Sequence, residues 1–448
     1  MLIRNLGIGG LVIGVFLIVS GAPTLAQEQV TTPVEAMHNG AVQFDELVAE
    51  ALMNNPEIEA SEAQWEMFVQ KARQAGSFED PMLMVGINNG LVRDPVNFSR
   101  DEMTSKTIGI SQMVPFFGKR ALIREGAEKE ALSARARYQE RKLELAAMVK
   151  ETGARLYAVD QTLDIVGRSL RVMDDIMRFT ESRYGVGTGM QQDVLRAQVE
   201  RSRMLDMQIS LQQQRRSLQA TMNRLLSRPA GTPVGTIPDL QVQLVTFSAE
   251  ELEVRAENSR PLFAGLAAQV DKGRLEERLA KKEFYPDFTF ALEYMQREEA
   301  MESEGFDMYG ASVSFNLPVQ RQRRHAMVAE ARSQSRMAMA EVKELQNAIR
   351  NGIDDLLAKL ERSARLIDLY QTGIIPQTTR SFESAQIAYQ NNQADFEMML
   401  ESLLTLFSYE REYYDMLAEY HMNLARLEAL VGSELPGNQK SHRVETLD

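Results

Sequence analysis

Cysteine is absent from all 448 residues. The chain therefore has no disulfide, no thiolate nucleophile and no thiolate metal site, and its rigidity must come from packing or assembly. Histidine is almost absent, with His38, His325, His421 and His442 the full set. Four scattered imidazoles make a poor zinc or hydrolytic centre. GxSxG and HExxH are also missing, which argues against an exported hydrolase. Basic charge is in deficit: 50 Lys and Arg stand against 63 Asp and Glu, a net charge of −13. A nucleic-acid binder needs the opposite balance. Beyond the first 26 residues no run approaches the roughly 20 apolar residues of a membrane-spanning helix, so any membrane insertion must use strands. Proline, too, is missing from Phe116 to Arg228.

What is present begins with Arg4, the apolar run 8–19 and small residues at 24–26. That order reads as a secretory signal peptide over 1–26. The rest is written twice, at an offset of 205 residues. ELVAEALMNNP (46–56) matches ELEVRAENSRP (251–261), with Leu47/Leu252, Ala51/Ala256 and Pro56/Pro261 in register. Pro81 matches Pro286; with a two-residue slip IGISQMVP (108–115) matches YGASVSFNLP (309–318), and Tyr184 matches Tyr389. Five landmarks in the same order indicate a duplication.

Each half predicts an amphipathic helix after its first proline, over 57–77 and 262–283, followed by two short strands. The strands fall at 82–90 and 104–114, then at 287–296 and 306–316. In DFTFALEYM, Phe288, Phe290, Leu292 and Tyr294 alternate with Thr289, Ala291 and Glu293, the period of a strand. After the second strand, Leu156, Val159, Leu163, Val166, Leu170, Met173 and Met177 step by three and four along a coiled-coil seam. Ile349, Ile353, Leu356, Leu360, Ile367, Tyr370 and Ile374 repeat that seam, with Ser363 as its polar exception and Pro376 as a local kink. A helix from about Gly118 to Tyr184 would be ~100 Å long, so it must lie beside others. RYGVGTGM (183–190) and AYQNNQAD (388–395) are then hairpin tips, after which the chain returns over 191–227 and 396–431.

Four strands per chain cannot close a barrel, and an open edge is not tolerated in lipid. Three chains pooling their strands would give twelve, continued by twelve helical rods. At this point the order resembles the TolC family of outer-membrane efflux factors over nearly the whole mature chain. The carriers are the duplicated Tyr tips followed by DVLRAQ and MLESLLTLF, and the closing LEALVG. DPMLMVGINN with DEMTSKTIGISQMVPFFGKR is most similar to the branch paired with heavy-metal exporters of the resistance–nodulation–division type. The fold class expected is mainly α with a small β part. The long coiled-coil hairpins would form a periplasmic α-barrel, and four strands per chain would join a trimeric 12-stranded outer-membrane β-barrel. Expected divisions are a signal peptide (1–26), a first repeat (27–230, tip 184–190), an equatorial linker (231–250), a second repeat (251–432, tip 389–395) and a C-terminal tail (433–448). The resemblance implies a homotrimer in outer-membrane lipid, met in the periplasm by an adaptor (membrane-fusion) protein and an inner-membrane pump. It implies neither cofactor nor catalysis.

Carried over residue by residue, Tyr184, Val186, Gly187 and Thr188 match the adaptor-docking tip, with Tyr389 its counterpart. Asp193, nine positions after Tyr184, matches an acidic latch position. The family's Arg five positions after the second Tyr is here Ala394, and its acidic pore rings fall at Met398 and Glu401. Asp395, Glu397 or Glu401 could supply the ring instead, attracting cations. The alternative for Asp193, Asp395 and Glu397 is a first-turn carboxylate complementing the helix dipole. Met398 and Met399 read as soft-metal ligands or, more simply, as core filler. His421, near the apolar seam of the last helix, reads as a packed or rim histidine. RQRRH (321–325) and Lys119–Arg120 read as snorkelling anchors below the strands, and the acidic 298–307 as an external loop. A drug-efflux or type I secretion factor, and more remotely a pore-free periplasmic scaffold, are the competing functions.

Overall fold

A computed structural model describes residues 43–94, 97–242, 244–300 and 303–435. The signal peptide read over 1–26, and the tail after Leu435, lie outside the described residues.

The duplication is visible helix by helix. Helices α1 (Phe44–Asn54) and α2 (Pro56–Gln74) are separated by one extended residue, Asn55, whose side chain accepts from the Glu57 N–H. Helices α5 (Ala249–Ser259) and α6 (Pro261–Lys282) repeat the break at Arg260. Asn55 at φ −77, ψ 122 and Arg260 at φ −75, ψ 121 have nearly the same backbone, because a proline disfavours helical geometry in the residue before it. Ser248 and Glu251 form a reciprocal capping box at the start of α5.

The proline-free stretch becomes α3 (Lys119–Gly185), one helix of 67 residues, and returns as α4 (Gln191–Leu225). Its counterpart is α7 (Arg321–Leu369), a five-residue π turn (Tyr370–Ile374), α8 (Ile375–Gln390) and the returning α9 (Phe396–Val431). The kink expected at Pro376 is this π turn. Proline has no N–H for the carbonyl four residues back, and Ile375 N–H reaches instead to Tyr370 O, taking up one extra residue. Buried positions run Ile349, Ile353, Leu356, Leu360, Ser363 and Ile367 before the turn, then Phe382, Ala385 and Tyr389 after it.

The seam of α3 differs from its sequence reading. Leu156, Val159, Val166 and Met173 are buried as expected, but Leu163, Leu170 and Met177 are half-buried. Thr162, Ile165, Ser169, Ile176 and Thr180 complete the buried face. Threonine can occupy it because its hydroxyl donates to the carbonyl one turn back: Thr162 to Ala158 O at 2.8 Å, and Thr180 likewise to Ile176 O.

Strands β1 (Met82–Asn88), β2 (Ser105–Val114), β3 (Phe288–Arg297) and β4 (Met308–Phe315) form one antiparallel sheet in sequence order. β2 and β3 join the two repeats, from Ser105 opposite Arg297 to Val114 opposite Phe288. The register divides the sheet into two faces. One carries Leu83, Val85 and Ile87, then Ile108 and Ile110, Phe290, Leu292 and Tyr294, and Tyr309, Val313 and Phe315. Every one of these is exposed. The opposite face carries Ser105, Thr107, Ser111, Thr289, Glu293, Ser312 and Ser314 together with Met82, Met84, Met113, Met295 and Met308, and on the central strands it is the more enclosed. Apolar residues outside and polar residues inside invert the pattern of a water-soluble sheet.

Below the sheet, Lys119 corrects its snorkelling assignment. Its side chain is 3% exposed, and Nζ lies 3.0 Å from Asp287 and 3.1 Å from Glu283. Asp287 also accepts from the Phe116 N–H at 2.7 Å. A buried ammonium needs such partners, and this one fastens the start of α3 to the entry of β3. Arg120 is also engaged, donating to Gly76 O and stacking on the Phe78 ring at 3.3 Å. Arg324 donates to Glu283 O. Within RQRRH, Arg321, Gln322, Arg323 and His325 are exposed, and Arg324 alone is half-buried.

Candidate functional site

The two hairpin ends are one turn built from different residues. At the first, Gly187 N–H donates to Tyr184 O (3.0 Å) and Thr188 N–H to Arg183 O (2.9 Å). At the second, Asn392 N–H donates to Tyr389 O (3.2 Å) and Gln393 N–H to Ala388 O (2.8 Å). This is a Schellman ending, whose left-handed residue is Gly187 at φ +75 in one copy and Asn392 at φ +60 in the other. Glycine adopts that conformation without strain, and asparagine tolerates it better than most residues. Met190 and Asp395, both extended, then open α4 and α9.

The side chains break the symmetry. Tyr184 is 49% exposed and Val186 and Met190 more so, a surface a partner can touch. Tyr389 is 3% exposed, so its ring presents no docking surface. It stacks edge-on with Phe179 and Phe396, in a cluster with Met173, Ile176, Met204, Phe382, Met399 and Leu403. Burial raises its phenol pKa, partly offset by the Arg183 charge. Arg183, not singled out from sequence, holds the two tips together. Its guanidinium lies 4.8 Å over the Tyr389 ring and donates to Tyr389 O, Thr188 O and Asn392 Oδ1. The matching residue in the second copy is Ala388. That loss of symmetry, beside two otherwise matched tips, was the available signal.

Next to the tips, α4 and α9 border an open groove of about 910 Å³. Leu195, Val199, Leu400 and Leu404 give it an apolar floor, and Arg196, Glu200, Arg203, Glu397, Glu401 and Glu412 charge its walls. Arg196 pairs with Glu397 at 2.7 Å across the groove, and Arg203 with Glu200 at 2.6 Å along α4. Exposed pairs of this kind contribute about 0–1 kcal/mol, so they set charge and register more than stability. Tyr370, on the π turn, donates to Glu412 at 2.7 Å. That bond, with burial, holds its phenol up at about 12.

Of the four acidic candidates, Glu397 and Glu401 line this groove. Glu401 is exposed and has no ion-pair partner among the described residues. Asp193 sits in the first turn of α4, close enough to Tyr389 for its charge to act on the phenol. Asp395 is the exposed N-cap of α9, and its side chain makes no capping bond. Met399 is 1% exposed and belongs to the core, whereas Met398 is 59% exposed. His421 lies beside Tyr420 on α9, with its Nε2 enclosed.

Long paired helices carrying an antiparallel sheet with an apolar outer face define the class of a β-barrel membrane protein with a helical extension. Among the described residues no helix is long and apolar enough to cross a membrane. The chain belongs to the outer membrane efflux protein family, whose model matches residues 47–228 and again residues 252–433. The two matches stand at the same 205-residue offset as the tip tyrosines. No curated protein matches in sequence. Among solved structures it is similar to the outer membrane protein VceC of Vibrio cholerae, at 16% identity over 88% of this chain and 97% of that one, TM-score 0.74. CusC, described for conformational changes accompanying folding and transmembrane channel formation, matches at 15% identity over 88% and 93%, TM-score 0.75. The Campylobacter jejuni CmeC outer membrane channel matches at 12% identity over 95% of each chain, TM-score 0.72. The protein is thus an outer-membrane efflux protein with the α-barrel and β-barrel fold of these channels, seated in the outer membrane of a Gram-negative envelope.

Proposed function

We propose that this chain is the passive exit duct of a tripartite exporter, a homotrimer whose helical hairpins meet a periplasmic adaptor and an inner-membrane resistance–nodulation–division pump. Its cargo would be heavy-metal cations. The carrying observation is the sheet, with its apolar face exposed and with β1 and β4 each paired on one side only. Two open edges per chain require neighbours in lipid, and twelve strands from three chains supply them. No catalytic step belongs to this reading; the pump supplies the energy. The exposed Tyr184, Val186 and Thr188 would contact the adaptor, with Gly187 setting their turn. Glu397 and Glu401 would lend the periplasmic end its negative potential. Support for metal cargo is the likeness of residues 80–89 and 101–120 to the metal-exporting branch, together with these carboxylates.

Three measurements test this. Mass determination of the detergent-extracted protein should give three chains; a soluble dimer would end the duct reading. Growth of a strain lacking the gene should be inhibited by copper, silver, zinc, cobalt or cadmium and restored by the wild-type gene. Sensitivity to drugs alone would keep the duct and remove the metal cargo. In bilayer recordings Glu401→Gln should lower cation over anion selectivity, and unchanged selectivity would take Glu401 out of the pore.

A further inference from the structure

The seam between the two repeats lies wholly inside the chain. There β2 pairs with β3, and Val114 stands opposite Phe288. Just below it Lys119, the first residue of α3, is held by Glu283 and Asp287, which precede β3. A basic helix start on one side of the seam thus meets acidic strand-entry residues on the other. The sheet's two edges, β4 and β1, form no such seam within one chain.

The duplication relates these edges to that seam. β3 matches β1 at the 205-residue offset, so Phe288 corresponds to Leu83, and both lie on the apolar face. β2 matches β4 with Gly109 at Gly310, so Val114 corresponds to Phe315. Closing β4 on β1 of a neighbouring copy in the same way sets Phe315 opposite Leu83, apolar face beside apolar face. Below that point the charges recur. Arg321 is the first residue of α7, with Arg323 in the same turn, and Glu79 and Asp80 precede β1. All four residues are exposed, and none has an ion-pair partner among the described residues. The positions equivalent to Glu283 and Asp287 are Phe78 and Met82, so the two acids fall between them. Both sides have moved away from the strands together. Arg321 is six residues past Phe315 where Lys119 is five past Val114, and Asp80 is three before Leu83 where Asp287 is one before Phe288.

We infer that Arg321 and Arg323 of one copy pair with Asp80 and Glu79 of the next, at the helical foot of each seam between copies, and fix the register at which the barrel closes. A bare sheet edge offers its hydrogen bonds at many registers, and matching of the apolar faces excludes only slips by an odd number of residues. A slip of two residues keeps the faces but displaces the strands by about 7 Å, which pulls an ion pair apart. Charges at such a contact contribute more to register and choice of partner than to raw affinity. The inference rests on the trimeric duct reading and adds the contact by which one copy recognises the next.

The chain has no cysteine, so a pair introduced at this seam reports on it alone. Asp80→Cys with Arg321→Cys should yield a covalent trimer when the detergent-extracted protein is treated with a short bismaleimide, and neither single variant should. Asn88→Cys with Arg321→Cys, at opposite ends of the strands, should not link. Should the first pair fail to assemble, Glu79→Cys with Arg323→Cys is read the same way. Arg321→Glu with Arg323→Glu should speed dissociation of the trimer in detergent about tenfold, because like charges then meet at every seam. Adding Glu79→Arg and Asp80→Arg should return the rate to within about twofold of wild type, as a coupled pair requires. A wild-type trimer with no cross-linking beyond the Asn88 control, or a charge swap that does not restore the rate, overturns the pairing and leaves the duct standing. A wild-type protein that is not a trimer overturns both.

Discussion

Gly187 and Asn392 occupy one backbone conformation at equivalent points of two copies. The duplication therefore contains its own substitution experiment. No heavy atom stands within 4 Å of where a Cβ would lie on Gly187, so a change there alters backbone energy alone. Gly187→Asn should leave amide exchange of residues 184–190 nearly unchanged. Gly187→Val, which strains the left-handed region by about 1–2 kcal/mol, should raise that exchange about tenfold. Equal exchange in both variants would show that the turn does not depend on this residue. His421 gives a second prediction. Burial pushes its imidazole down to about 4, a hydrogen bond with the Gln241 backbone acting the other way. The unfolded chain takes up a proton near 6.5 and the folded one does not until about 4. Stability should thus fall as pH drops through that window, by about 3 kcal/mol in total. His421→Phe should flatten the part of the pH profile of thermal unfolding between pH 7 and 4 that this residue contributes. The same slope in the variant would show that His421 is not its source.

At the scale of elements, helix ends, strand positions and both tips were legible because local chemistry determines them: Pro56 and Pro261, the proline-free stretch, and the alternation in Phe288–Tyr294. What depends on partners distant in sequence was not. Lys119 beside Arg120 reads as a basic anchor until Asp287, 168 residues away, is brought to it. Tyr184 and Tyr389 have equivalent contexts in sequence, and only the packing of α3, α4, α8 and α9 buries one and exposes the other. Thr162 and Thr180 were passed over as seam residues because their bonding to the previous turn hides their polarity. The π turn was legible only as a proline. It behaves as one residue inserted into an α-helix, which leads to a specific expectation. Deleting Gly373 together with Pro376→Ala should restore regular helix, keep Phe382, Ala385 and Tyr389 facing inward, and change stability by no more than about 1 kcal/mol. Deleting Gly167 from regular α3 would rotate everything after it by about 100° and should abolish folding. Thermal unfolding followed by circular dichroism separates the two, and comparable losses would refute the insertion account.

For the whole molecule, the pairing of β2 with β3 has a temporal consequence. Each hairpin, β1–β2 and β3–β4, is local, but the seam between them joins Val114 to Phe288, and the intervening chain comprises α3, α4, α5 and α6. Contacts so remote in sequence form slowly, after the intervening segments have ordered. In pulse-labelled refolding in detergent, amides of α3 and α6 should gain protection before those of β2 and β3; simultaneous protection would refute that order. The nascent protein would then cross the periplasm as a charged helical body trailing two unjoined hairpins. Its lipid-facing surface would come into being only where lipid is already there to receive it.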